Sequence, residues 1–199
     1  MPQGSVLGPI LFLISINDLP LRITSPLNLF ADDSKIFTRI VTNKKNKQKI
    51  GDGKEVLQDD LNKVLEWAKM WKMEFNIDKC KMMHLGKKNP KNTYSMNGAN
   101  LEETMEEKDL GVLIDNELEF GKHIKSIVGR ANSVLGMIRI AFNHMNKKMF
   151  LNLYTALIRP LLEYCVQVWS PHLMKYKNLI EGVQRRATKL VPELKNLPL

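Results

Sequence analysis

The chain has 199 residues, 44% hydrophobic and 26% charged, which suits a globular protein with one sizeable core or two small ones. No apolar run approaches the ~20 residues that span a bilayer, Met1-Pro2-Gln3-Gly4 has no basic leader, and two cysteines make no disulfide framework, so an intracellular, non-membrane chain is expected. The net charge of +9 is unevenly placed: residues 1–120 hold 17 Lys/Arg against 18 Asp/Glu, and residues 121–199 hold 13 against 3. A basic part joined to a neutral one is the footprint of a grip on a phosphate backbone, with a basic surface kept for solubility as the alternative.

In chain order, Gly4 and Gly8-Pro9 bracket a turn, and Pro9 suits the first position of a helix. Residues 10–16 are almost wholly apolar, so that helix is expected to be buried nearly all round, and the start reads as cut from something longer. Leu27–Phe37, LNLFADDSKIF, then alternates: Leu27, Leu29, Ala31 and Asp33 share one side, and Asn28, Phe30 and Asp32 the other. Asp-Asp-Ser favours a tight turn, so the expected object is a short hairpin with two carboxylates at its tip. Such carboxylates are hard ligands for Mg²⁺ of the kind two-metal phosphoryl transfer needs; a plain solvated turn is the other reading.

Residues 42–54 are polar and glycine-interrupted and read as a loop. Its Lys44, Lys45, Lys47 and Lys49 are either solvated, touching nucleic acid, or an import signal. From about Glu55 to Glu74, Leu57, Leu61, Val64, Leu65, Ala68 and Trp71 trace one helical stripe, with Trp67 and Trp71 read as core. A strand is expected over Lys81–Leu85. Cys80 and His84 stand four apart, but no second pair has zinc spacing, so no zinc site is expected. Asn97-Gly98 marks a hairpin between 93–96 and 99–103, and Leu110–Ile114 reads as a short buried strand. Beyond it, one stripe runs from Ile124 to Phe142, a second from Phe150 to Trp169 with a kink or break at Pro160, and a third helix from about Tyr176 to Leu190.

PQGSVLGPILFLISINDLP followed by LFADD resembles the reverse transcriptases of non-LTR retrotransposons, especially the jockey-like group. LQDDLNKVLEWAKMWKMEFNIDKCKMMHLG, KDLGVLID, LYTALIRPLLEYCVQVWSP and VQRRATKL continue the likeness in the family's order over nearly the whole chain. The resemblance implies that Gln3 and Gly4 line the nucleotide and template pocket. Asp32 becomes the main metal ligand, Asp33 its partner, and Lys79 matches a lysine placed to protonate leaving pyrophosphate, with an ordinary surface lysine as the alternative. LGV maps to the primer grip or is a plain strand. Lys122, Lys125, Arg130, Lys147, Lys148, Arg185, Arg186 and Lys189 are left to hold the backbone of the template–primer duplex.

The fold expected is α+β: a truncated polymerase palm, with an antiparallel sheet and packing helices, over residues 1–119, then an all-helical, basic, thumb-like bundle over 120–199. The implied cofactor is Mg²⁺ in an incomplete two-metal site, and the implied partners are an RNA template, a DNA primer and deoxynucleotides. The family's third carboxylate lies upstream of Pro-Gln-Gly. Asp18, Asp109 and Asp115 are the nearest replacements, none in a matching context, so the isolated chain is expected to be inactive. The alternative function is a non-catalytic nucleic-acid-binding module built on the basic helices.

Overall fold

In the computed structural model, which describes residues 7–40, 53–142 and 144–191, contacts divide the chain between Thr104 and Met105 into two units. The first unit runs from α1 (Leu7–Ile16) through the hairpin β1 (Leu27–Phe30) and β2 (Asp33–Ile36) to α2 (Gly53–Met70). The short strands β3 (Lys81–Met82), β4 (Ser95–Met96), β5 (Ala99–Asn100) and β6 (Glu102–Glu103) follow. Helix α2 organises this unit because its apolar residues recur at helical spacing. Val64, Trp67 and Ala68 bury against Ile16, Leu19 and the hairpin residues Leu27, Leu29 and Ile36, and Leu61 buries with Tyr94 and Met96.

Two polar clamps hold segments onto α2. The carboxylate of Asp60, fully buried in mid-helix, accepts the backbone N–H groups of Thr24 (2.9 Å) and Ser25 (2.7 Å), fixing the chain just before β1. The indole N–H of Trp67 donates to Asp18 at 2.7 Å. Such buried bonds matter because a donor left unmatched costs about 1–3 kcal/mol.

Several expectations need correction. Helix α2 ends at Met70, short of Glu74. Lys72 adopts a left-handed φ of 53° and the Met73 N–H reaches back to the Ala68 carbonyl at 2.9 Å, a C-terminal cap that stops the helix. Trp71 is therefore exposed rather than core. Helix α1 is not buried all round: Leu7, Ile10, Leu11, Leu13 and Ile14 are exposed and Ile16 alone is buried, because only Phe12 and Ile16 meet the α2 cluster. The Gly8-Pro9 pair lies inside α1. In place of one antiparallel sheet, the described strands form four separate two-stranded pairs, and β3 with β6 is parallel. Strands of two to four residues offer too few ladder bonds to recruit further partners. The Asn97-Gly98 turn is as expected: both residues have positive φ (49° and 80°), and β4 and β5 close around them.

The second unit opens with the hairpin β7 (Glu106–Asp109) and β8 (Val112–Asp115) and continues as α3 (Gly121–Ala141), α4 (Lys147–Leu153), α5 (Arg159–Glu163), α6 (Val166–Trp169) and α7 (Met174–Thr188). Leu110 and Gly111, expected in a strand, form the hairpin turn at φ 44° and 87°. A Cβ on Gly111 would lie 3.2 Å from the Tyr164 ring, whose hydroxyl donates to the Leu110 carbonyl at 2.7 Å, so the turn has no room for a side chain there.

One face of α3, including Ile124, Ile127, Ala131, Leu135 and Ile138, packs with Phe150, Ile158, Trp169, Val183 and Val191 into a continuous core. Within it, buried His123 accepts the Leu113 N–H at Nδ1 (3.2 Å) and meets Trp169 edge-to-face at 5.2 Å. At Pro160 the second stripe is distorted, as expected, rather than ended. A π turn over Tyr154–Ile158 precedes the proline, which lacks an N–H to continue the ladder, and the chain breaks at Cys165, where φ is 52°. Among the described residues no helix is long and apolar enough to cross a membrane.

Candidate active site and nucleic-acid face

Phe30 pairs with Asp33 across the β1–β2 hairpin, leaving Ala31 and Asp32 as its two-residue turn. Leu27, Leu29 and Ile36 anchor the hairpin on α2, while Asn28 and Phe30 face outward. The turn changes which side Asp33 takes. An unbroken alternation would put it with Leu27 and Leu29, but directly opposed residues share a face, so Asp33 stands with Phe30 on the outer side. Ala31 holds φ at 52°, a conformation that costs a non-glycine residue about 1 kcal/mol. That strain sits beside the acidic pair.

Both carboxylates are exposed, and among the described residues neither has a hydrogen bond or ion pair. Two adjacent unpartnered carboxylates on a short hairpin fit the donor set of Mg²⁺, which is commonly held by one or two carboxylates with waters and substrate phosphates completing the shell. Among the described residues no third Asp, Glu, His or Cys joins them into a metal-ligating group.

Two of the acids considered as replacements have other uses. Asp18 bonds Trp67 and faces Arg22 at 3.6 Å. Asp115 accepts the backbone N–H groups of Glu117, Glu119 and Phe120 at 2.7–3.1 Å, shaping the entry to α3. Asp109 closes β7 opposite Val112. Lys79 is exposed in a 3-10 turn (Ile77–Lys79) after α2, and among the described residues nothing ties it to the acidic tip by a hydrogen bond or ion pair. Gln3 and Gly4, like Lys44, Lys45, Lys47 and Lys49, lie outside the described residues.

The eight basic side chains read as a backbone grip are all exposed. Lys122 pairs with Glu106 (2.5 Å), Arg185 with Glu181 (3.3 Å), and Arg186 donates to Asn132 (3.0 Å). Lys125, Arg130, Lys147, Lys148 and Lys189 hold no ion pair among the described residues. Arg186 and Lys189 are brought together beside Arg139 and His144, which sequence reading missed. The available signal was helical spacing: Asn132, Gly136 and Arg139, four and three apart, form one strip beside the buried face of α3.

The acidic hairpin lies inside a stretch that matches a family of polymerases. The family described as "Reverse transcriptase (RNA-dependent DNA polymerase)" matches residues 1–125, and the chain belongs to it. It is similar to the RNA-directed DNA polymerase from mobile element jockey of Drosophila funebris, 27% identical over 203 residues covering 96% of this chain and 21% of the relative. The probable polymerases from transposon X-element and transposon BS of Drosophila melanogaster are each 27% identical, over 96% and 97% of the chain. These are the mobile-element enzymes that the LFADD and neighbouring blocks resemble. The chain spans about a fifth of the length of these relatives. No solved structure matches it.

Proposed function

We propose that this chain is the part of a retrotransposon RNA-directed DNA polymerase that carries the acidic hairpin of the palm (residues 1–119) and the thumb (residues 120–199). The observation that carries the reading is the exposed, unpartnered Asp32–Asp33 tip inside the segment that matches the family. Asp32 and Asp33 would hold Mg²⁺, which when bound neutralises phosphate charge and orients the reacting oxygens during nucleotidyl transfer. The hairpin presents the carboxylates on the outer face, and its anchoring by Leu27, Leu29 and Ile36 keeps them from drifting. Lys79 supplies positive charge and a proton to leaving pyrophosphate. Gln3 and Gly4 contact template and incoming nucleotide, and the exposed cations of the second unit hold an RNA template and DNA primer by their phosphates.

Among the described residues no third ligand joins the two carboxylates. A missing group that acts in the transition state commonly costs about 10²–10⁴ in rate, so catalysis resting on these two carboxylates alone would be slower by about that factor. The test is primer extension on an RNA template by this chain joined to a segment that supplies a third carboxylate. Asp32→Ala should abolish extension; extension that survives the substitution removes the assigned role. The exposure of all eight cations favours a second reading, a binding module without chemistry. It predicts affinity for an RNA–DNA hybrid that falls steeply with salt and ignores Asp32→Ala.

A further inference from the structure

Between the C-terminal halves of α3 and α7 the second unit contains a groove of about 1030 Å³, a size that accommodates a ligand of nucleotide dimensions. Its rim carries Arg139, Arg186 and Lys189, with His144 beside them, and among the described residues no Asp or Glu lines it. Arg186 is held in place by its 3.0 Å bond to Asn132, so its planar guanidinium is pre-oriented. The floor is different in character. Leu135 and Leu190 supply apolar surface, and Phe142, at the end of α3, lines the groove and is partly exposed. Gly136 in the wall has nothing within 4 Å of where a Cβ would stand, so the cleft there is open.

Cations on the rim with apolar and aromatic surface below match one ligand chemistry: phosphates linked to flat, stackable bases. A duplex keeps its bases stacked inside and offers a protein only backbone and groove edges, so it cannot use the floor. A peptide of acidic residues alone would use the cations but not the apolar floor. We propose that this groove binds single-stranded nucleic acid, with Arg139, Arg186 and Lys189 on its phosphates and Phe142 against a base. The assignment deepens, and rests on, the nucleic-acid reading of the basic unit; it does not depend on the acidic hairpin.

The test measures binding of the whole chain to a fluorescein-labelled oligouridine and to an RNA–DNA hybrid of equal length, by anisotropy across a salt series. Arg139→Gln with Lys189→Gln should weaken oligouridine binding roughly tenfold and reduce the salt slope by roughly 1.4, the release expected from two single-strand phosphate contacts. Gly136→Leu fills the cleft without changing charge, and the open space around that position lets the helix accept it, as circular dichroism would verify. It should weaken oligouridine binding and leave the hybrid unaffected.

Oligouridine binding untouched by either variant, or by Gly136→Leu alone, overturns the groove assignment. Equal loss for the hybrid with Gly136→Leu overturns the single-strand preference. Displacement by uridine monophosphate or inorganic phosphate as readily as by the strand would make the groove a free-anion site and also overturn the proposal. A chain that binds neither probe overturns the nucleic-acid reading of the whole unit, and a chain that binds the hybrid but not oligouridine overturns the groove alone.

Discussion

The two units bury their apolar residues in different ways. The helical unit gathers residues from β8, α3, α7 and the helices between them into one continuous core. The first unit divides its buried residues between two small clusters along α2 and leaves most of the apolar surface of α1 in the open. Burial is worth about 25 cal/mol per Å² of apolar surface, so the unit with the larger shared core is the better able to hold itself together. The difference has a functional side. The acidic hairpin belongs to the less consolidated unit, whereas the cations sit on the firm one. Binding is thus expected to withstand conditions in which the hairpin's support loosens.

The most severe way to break this contrast is to damage the larger core. Trp169 is almost wholly buried, and its indole N–H donates to the Tyr164 carbonyl at 2.7 Å. Trp169→Ala should destabilise the second unit by about 3–5 kcal/mol in urea denaturation, with loss of hybrid binding in step with unfolding. A variant that binds the hybrid with undiminished stability would show that the core is not what supports the cations.

In the first unit the corresponding weak point is polar. Asp60→Ala leaves the Thr24 and Ser25 N–H groups without their acceptor and should cost about 2–4 kcal/mol, releasing the segment before β1 without disturbing the helical unit. Hydrogen exchange would reveal the opening in β1 and β2 ahead of α3. The same carboxylate gives this unit an acid sensitivity. Burial raises its pKa, but hydrogen bonds from Ser25 and Thr24 and the Lys63 charge together hold it below the ordinary carboxylate value. A lowered folded pKa means that the stabilisation is fully present above the unfolded value of about 3.9 and disappears as pH falls through the folded one. Asp60→Asn should flatten that part of the acid titration.

The helical unit responds to acid at higher pH. Burial, aided by the Arg130 charge, lowers the His123 pKa, so the folded state prefers the neutral ring. Below about pH 6.5 the unfolded chain takes the proton more readily, and stability contributed by the neutral ring is lost as pH falls toward the folded value. His123→Phe should retain the edge contact with Trp169 while removing this dependence from a pH series of melts. The smallest effect belongs to Ala31→Gly, which relieves the positive φ beside the acidic pair and should stabilise the hairpin by under about 1 kcal/mol. A destabilising result would mean that the turn is not strained.

Local signals were legible. The helical stripes of α2, α3 and α7 were visible because one face of each is buried, and the Asn97-Gly98 turn because it requires positive φ at both residues. The tip itself was legible in Asp-Asp-Ser, although the side taken by Asp33 was not, since that depends on where the strand stops. The length of α2 was misread for the same kind of reason: Trp71 fits the stripe, but the cap at Lys72 ends the helix before it.

Periodicity, turn chemistry and the family's motif blocks, all properties of neighbouring residues, therefore determined the acidic hairpin, the amphipathic helices and membership of the reverse transcriptases. Which strands pair, which apolar residues of α1 find cover, how Asp60 and His123 are used, and the meeting of Arg139 with Arg186 and Lys189 were decided only in three dimensions. Each of those depends on partners distant in the chain, and neither the spacing nor the composition of a single segment records which partner will arrive.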